Sequence, residues 1–141
     1  MAHNTPPALQ GVLEAALYVD DLDAADTFYG ETLGLEEIAH VSGRHRFYRV
    51  GETVLLLFVA EKTRVPTANP DLPVPTHGAE GPGHLCFSAT GEDLDAWQPH
   101  LISMSIAIEG DFSWPNGPRS IYVRDPAGNS VEVAEPNLWR S

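Results

Sequence analysis

The sequence has one cysteine, Cys86, so no internal disulfide can staple the chain and its stability must come from packing. It also has no long hydrophobic run. The most apolar stretch, Val54–Ala60, is far shorter than the roughly 20 residues a membrane-spanning helix needs. Met1–Gln10 has neither a basic segment nor an apolar one, so it does not read as a secretory signal; it reads as a loose arm. Positive charge is scarce. Eight Lys and Arg stand against 20 Asp and Glu, a net charge of −12, which argues against nucleic acid and anionic membranes as partners. A bound anion would need a local basic site, for which Arg44-His45-Arg46 and Arg119 stand out. These features together suggest a cytoplasmic protein.

What remains is an ordinary globular composition: 141 residues, 43% hydrophobic and 20% charged, enough for one domain or two small units sharing a core. Val12–Val19 alternates as a strand, with Leu13, Ala15, Leu17 and Val19 opposite Glu14, Ala16 and Tyr18. Asp21 suits the N-cap of a helix over Leu22–Leu33, which Gly34 stops. Glu36–Val41, Arg44–Val50 and Thr53–Ala60 read as strands, the last apolar enough to be buried on both faces. Glu61–Gly83 carries five prolines and no periodicity, and reads as a linker or surface loop. Within it, His77 is a candidate to fold over a cavity mouth. The pattern then restarts: strand His84–Ala89, a helix Leu94–Met104 capped by Asp93, strand Ile106–Glu109, then strands Arg119–Arg124 and Ser130–Ala134. Pro99 is expected to kink or shorten that second helix.

The restart is an internal repeat. Asp21-Leu22-Asp23-Ala24 recurs as Asp93-Leu94-Asp95-Ala96, an offset of 93 − 21 = 72. Two extra residues before the second helix reduce the offset in the strands to 70, which sets Glu14 on His84 (14 + 70). Two side chains able to bind metal thus share one position of a duplicated strand, opposite the apolar faces. In the last strand, Val131 and Val133 share one face while Glu132 lies on the other, where it must meet water, a partner charge or a metal. Asp125-Pro126-Ala127-Gly128-Asn129, just before it, is turn chemistry with no catalytic role assigned.

The motifs Leu-Tyr-Val-Asp-Asp-Leu (17–22), Phe-Tyr-Gly-Glu-Thr-Leu-Gly-Leu (28–35), Gly-His-Leu-Cys-Phe (83–87) and Tyr-Val-Arg-Asp-Pro-Ala-Gly-Asn-Ser-Val-Glu-Val (122–133) occur in this order. From about Gly11 to Trp139 the chain resembles the vicinal oxygen chelate superfamily of glyoxalase I, bleomycin-resistance proteins, fosfomycin-resistance proteins and extradiol dioxygenases. The resemblance implies an α+β fold of paired βαβββ modules, with mixed sheets curled around a central cavity. It divides the single domain 1–141 into a first module (11–60), a Pro-rich linker (61–83) and a second module (84–136). It implies a divalent metal (Mn, Fe, Ni, Zn or Mg) held by Glu14, His84 and Glu132. The fourth family position should lie near Leu55–Leu57, where no residue from Val54 to Phe58 can bind a metal. That departs from the four-ligand pattern of glyoxalase I.

By the same resemblance Ser120 and Tyr122 line the cavity. His45 and Arg119 are candidates to meet an anionic substrate, and Trp114 is either a rim aromatic or core. Cys86, two residues from His84, is expected to pack rather than ligate. The implied activity is that of a metal-dependent lyase or isomerase on a small substrate that chelates the metal through neighbouring oxygens. Glu14 or Glu132 would be the proton-transfer base. Dioxygenase and thiol-transferase chemistry fit the same scaffold. The alternative is a non-catalytic small-molecule binder of the bleomycin-resistance type. Either would be a homodimer, as is common in the family.

Overall fold

The structure is a computed structural model that describes residues 5–140. Of the expected N-terminal arm, residues 1–4 lie outside the described residues, and 5–13 have no regular structure. Strand β1 (Glu14–Tyr18) leads into helix α1 (Leu22–Asp26), whose winding widens into a π-helical turn over Thr27–Thr32. Asp21 caps α1 as its sequence suggests: its Oδ1 accepts from the amides of Asp23 and Ala24 at 3.0 Å each. Gly34 leaves the helix at φ 73°, a left-handed conformation that a Cβ disfavours. Strands β2 (Glu36–Val41), β3 (His45–Val50) and β4 (Thr53–Phe58) complete the first half. The second half runs β5 (His84–Ser88), a helix over Gly91–Ser103, β6 (Gly110–Ser113), β7 (Arg119–Arg124) and β8 (Ser130–Ala134).

Each half makes one mixed four-stranded sheet, ordered β1-β4-β3-β2 and β5-β8-β7-β6, so the repeat is one of topology as well as sequence. The two sheets do not close on each other. β1 and β5 are edge strands, each paired in parallel with the last strand of its own half.

Several elements differ from expectation. The Pro-rich segment opens with a short helix, α2 (Ala60–Thr63), and is otherwise without regular structure. The helix Gly91–Ser103, α3, starts three residues early because Thr90, not Asp93, caps it: the Thr90 hydroxyl accepts from the Asp93 amide at 3.1 Å. Pro99 lies within α3 without ending it, since proline forgoes a single ladder hydrogen bond there. β6 forms at Gly110–Ser113, because Ile106 and Ile108 turn inward to pack on the core instead. β4 is not buried on both faces along its length. Leu55 and Leu57 are buried on the inner face, whereas on Glu14's face Phe58 is buried but Val54 and Leu56 are only half-buried.

The core joins both halves. Leu17, Leu22, Phe28 and Tyr29 of the first pack in one cluster with Leu94, Leu101, Ile121 and Val131 of the second. The duplicated acidic motif rivets each helix to its own sheet. Asp23 pairs with Arg46 of β3 at 2.9 Å, and Asp95, its repeat mate (95 − 23 = 72), pairs with Arg119 of β7 at 2.7 Å.

The Asp125–Asn129 turn clasps the halves together. The buried Asp125 carboxylate accepts from the Tyr29 hydroxyl (2.7 Å), the amides of Ala127 and Asn129 (2.9 and 2.8 Å) and the Asn129 side chain (2.9 Å). Asn129 in turn donates to the Tyr18 carbonyl (3.0 Å) and accepts from the Gly83 amide (2.7 Å). Asp125→Ala leaves several buried donors without a partner and should lower stability by about 3 kcal/mol or more. Tyr29→Phe removes one donor while Asn129 still serves the carboxylate, and should cost only about 1–2 kcal/mol. Denaturant unfolding of the two variants checks this ranking, which equal losses would contradict.

Candidate functional site

Strand register decides which side chains meet. In the second sheet Cys86 and Tyr122 lie directly beside Glu132 on its two neighbouring strands, and Ser120 lies one pleat further along β7. With His84 two residues before Cys86, all five share the face opposite Val131 and Val133. Glu132 is at the centre and only 5% exposed. Its Oε2 accepts from the Ser120 hydroxyl at 2.6 Å, and its Oε1 lies 3.3 Å from His84 Nε2. Trp114 completes a relay by donating its indole N–H to Ser120 Oγ at 2.8 Å. The tight return between β6 and β7, closed by the Gly117 amide on the Trp114 carbonyl (2.8 Å), brings that indole over the sheet. Trp114 is therefore a working member of the cluster. Sequence reasoning left it as either a rim aromatic or core, because no local pattern encodes a bond from a hairpin tip back onto its own strand.

The imidazole of His84 is oriented. Its Nδ1 lies 3.1 Å from the Ser130 carbonyl oxygen, which puts an N–H on Nδ1 and turns Nε2 toward the carboxylate. Nε2 faces Glu132 Oε1, so a proton or a cation is suited to join the two groups. A borderline donor nitrogen beside a carboxylate oxygen suits a divalent transition metal. Tyr122 stacks on His84 with ring centroids 6.2 Å apart and on Phe112 at 5.8 Å. Burial, followed by the Glu132 carboxylate, pushes the Tyr122 phenol up to about 12, so it stays a hydrogen-bond donor at neutral pH. The same two causes push the Cys86 thiol up to about 12. Cys86 therefore faces this cluster as a protonated thiol, not as a ready metal ligand.

The remaining candidates lie elsewhere. Glu14 is exposed on the outer face of β1, in the first sheet, with Val54 as its strand neighbour. Among the described residues no three His, Cys, Asp or Glu side chains gather as a metal site within one chain. The expected fourth ligand position is apolar, since Val54, Leu56 and Phe58 are the β4 residues on Glu14's face. Arg119 is not a cavity residue. It lies on the helix side of β7, as Ile121 does, and Asp111 (2.8 Å) and Asp95 (2.7 Å) occupy its guanidinium. Arg46 is likewise taken, by Asp23, Asp26 and Glu37.

His45 belongs to a second group, on the first sheet. It stacks on Phe47 at 4.2 Å and meets Phe58 edge-on at 5.8 Å. Burial, then the charge of Arg44, pulls His45 below its ordinary pKa, and its neutral Nδ1 accepts from Arg44 Nη1 at 2.6 Å. His77 packs against Phe58 at 4.8 Å and bonds the Tyr18 hydroxyl at 2.7 Å, so the Pro-rich segment does fold onto this face.

Comparisons with known proteins agree with this architecture. Residues 11–133 match the family model of the Glyoxalase/Bleomycin resistance protein/Dioxygenase superfamily. A crystal structure of a lactoylglutathione lyase from Agrobacterium tumefaciens superposes with a TM-score of 0.89 at 43% identity, covering 97% of this chain and 100% of that one. A glyoxalase/dioxygenase from Nostoc punctiforme gives a TM-score of 0.68 at 26% identity over 94% of this chain and 97% of its own. An integron cassette protein from a Halifax Harbour sewage outfall shares the fold at 21% identity, with a TM-score of 0.70 over 90% of this chain and 99% of its own.

The coupling between Glu132 and Cys86 has a measurable sign. A thiol held near 12 should react slowly with iodoacetamide at mildly alkaline pH despite the exposure of Cys86. Glu132→Gln removes the neighbouring negative charge, so the thiol pKa falls and alkylation accelerates, about tenfold for each unit recovered. An unchanged rate would show that the carboxylate does not act on the thiol.

Proposed function

Because this chain belongs to the glyoxalase/bleomycin resistance protein/dioxygenase superfamily, we propose that it is a metal-dependent lyase or isomerase of glyoxalase type. Its substrate is a small molecule that chelates the metal through neighbouring oxygens. The single observation that carries this reading is the His84–Glu132 pair, a ring nitrogen and a carboxylate oxygen facing each other at 3.3 Å on an otherwise neutral wall. The 43% identity to a protein called lactoylglutathione lyase supports the lyase class.

His84 and Glu132 would hold a divalent cation together with Glu14 of a second copy of the chain. A second copy is needed because Glu14 stands on the other sheet and no third ligand joins the pair among the described residues of one chain. β1 favours such an assembly: it is an edge strand, and Leu13 beside Glu14 is 75% exposed. When bound, the cation would polarise a substrate carbonyl and stabilise the enolate that follows.

The two carboxylates are suited to different work. Glu132 is buried and tied by Ser120, whose own position is set by Trp114, so it holds. The Glu14 side chain is exposed and has no hydrogen-bond partner among the described residues, so it would be free to carry a proton to and from a substrate carbon. Tyr122, protonated and stacked on His84, would donate a hydrogen bond to a substrate oxygen. Val54, Leu56 and Phe58 would form the apolar wall where other members of the family place a fourth ligand.

Metal analysis of untagged protein tests this reading, with light scattering for the dimer. Wild type should hold close to one divalent ion per chain, and His84→Ala should lose it while melting where metal-free, chelator-treated wild type melts. Mixing Glu14→Gln with His84→Ala subunits should restore one intact site per heterodimer and part of the activity. Full metal in His84→Ala would remove it from the ligand set. Absence of restoration would remove the site shared between copies. A metal-free wild type that still binds small ligands would favour the sequestering reading.

A further inference from the structure

We propose that the Pro-rich segment forms a second, metal-independent site, which binds the oxyanion end, carboxylate or phosphate, of a small molecule with an apolar body. The argument begins with charge. Four arginines, Arg46, Arg64, Arg119 and Arg124, are engaged by carboxylates. Of the cations that make no such ion pair among the described residues, Arg44 and Lys62 line one and the same cavity, of about 400 Å³. No Asp or Glu lines it, in a chain where acids outnumber bases 20 to 8. Two cations without carboxylate partners line an acid-free cavity in a protein of net charge −12, an arrangement that suits an incoming anion.

Arg44 is positioned without being neutralised. Its Nη1 donates to the neutral His45 ring at 2.6 Å, and its guanidinium carbon lies 5.6 Å from the Phe58 centroid. Neutral partners aim the guanidinium yet leave its charge and its other N–H groups available. Much of the remaining lining is apolar. Val65, Leu72 and Val74, all of them 60–63% exposed, line the same cavity with Pro66 and Pro75. Exposed aliphatic side chains gathered beside paired cations fit a ligand with one charged end. The segment is also held in place. The His77 amide donates to the Thr63 carbonyl at 3.0 Å, and the His77 ring bonds Tyr18. This site does not depend on the metal reading: its cations come from the turn before β3 and from α2, not from the His84–Glu132 wall.

The test uses metal-free, chelator-treated full-length protein at low ionic strength, titrated with benzoate and with inorganic phosphate and followed by amide NMR shifts. Saturable shifts centred on Thr63 and His77 are expected. Charge-assisted hydrogen bonds of this kind are worth enough that Arg44→Gln and Lys62→Gln should each weaken binding about tenfold or more. Arg49→Gln, which removes an unpaired cation outside the cavity, and His84→Ala should leave it unchanged. Should Arg44→Gln melt early, the exposed Lys62→Gln decides. Preference for benzoate assigns a carboxylate with an apolar body, and preference for phosphate assigns a phosphate ester. Lack of saturation by both anions, or equal affinity in the two cation variants and wild type, overturns the proposal. Because no metal is present, its failure is separate from failure of the lyase reading.

Discussion

A buried carboxylate is tolerated only when enough donors surround it, and Asp125 draws those donors from both halves of the molecule. The consequence reaches the candidate site directly. Asn129, locked by Asp125, binds the Gly83 amide and the Tyr18 carbonyl. Gly83 immediately precedes His84, and Asn129 immediately precedes Ser130, whose carbonyl orients the His84 ring. The turn thus sets where β5 and β8 begin relative to each other, and through that register the 3.3 Å approach of His84 to Glu132. A turn with no part in chemistry determines the geometry on which the chemistry would rest.

Duplication explains the way charge is distributed. Each module carries an aspartate near the start of its helix, and each uses it to hold an arginine of its third strand. Arg46 and Arg119, the sequence's conspicuous cations, are thereby committed to structure and are withdrawn from ligand binding. Among the first module's cations without an ion pair, Arg44 sits on the turn before β3 and meets aromatic rings instead of acids. The two modules have diverged most on their open faces. In the first that face is an aromatic cluster of Tyr18, His45, Phe47 and Phe58 with Glu14 at one end. In the second it is a hydrogen-bonded wall around Glu132.

Much of this was legible in the chain. Alternation assigned the faces of β1 and β8, because side chains on a strand must alternate and an apolar layer excludes a free carboxylate. The repeat was visible because a four-residue helix segment, Asp-Leu-Asp-Ala, recurs, and its second aspartate makes the same ion pair twice. That repeat aligned Glu14 with His84 and, with the family motifs, singled out Glu132. Local rules failed where two signals competed. Thr90 outcompeted Asp93 as a cap, and Ile106 and Ile108 were drawn into the core and displaced β6.

Composition, periodicity and the repeat pointed to two halves that each run strand, helix and three strands, because those properties follow from backbone geometry and the exclusion of charge from apolar layers. Only the tertiary structure decided which polar groups meet. It joined Trp114 to Ser120 to Glu132, bound Arg119 to acids on another element, and set Glu14 on a different sheet from His84. Those outcomes rest on contacts between residues far apart in the chain, formed once two twisted sheets pack through a shared core, and no local pattern of residues encodes them.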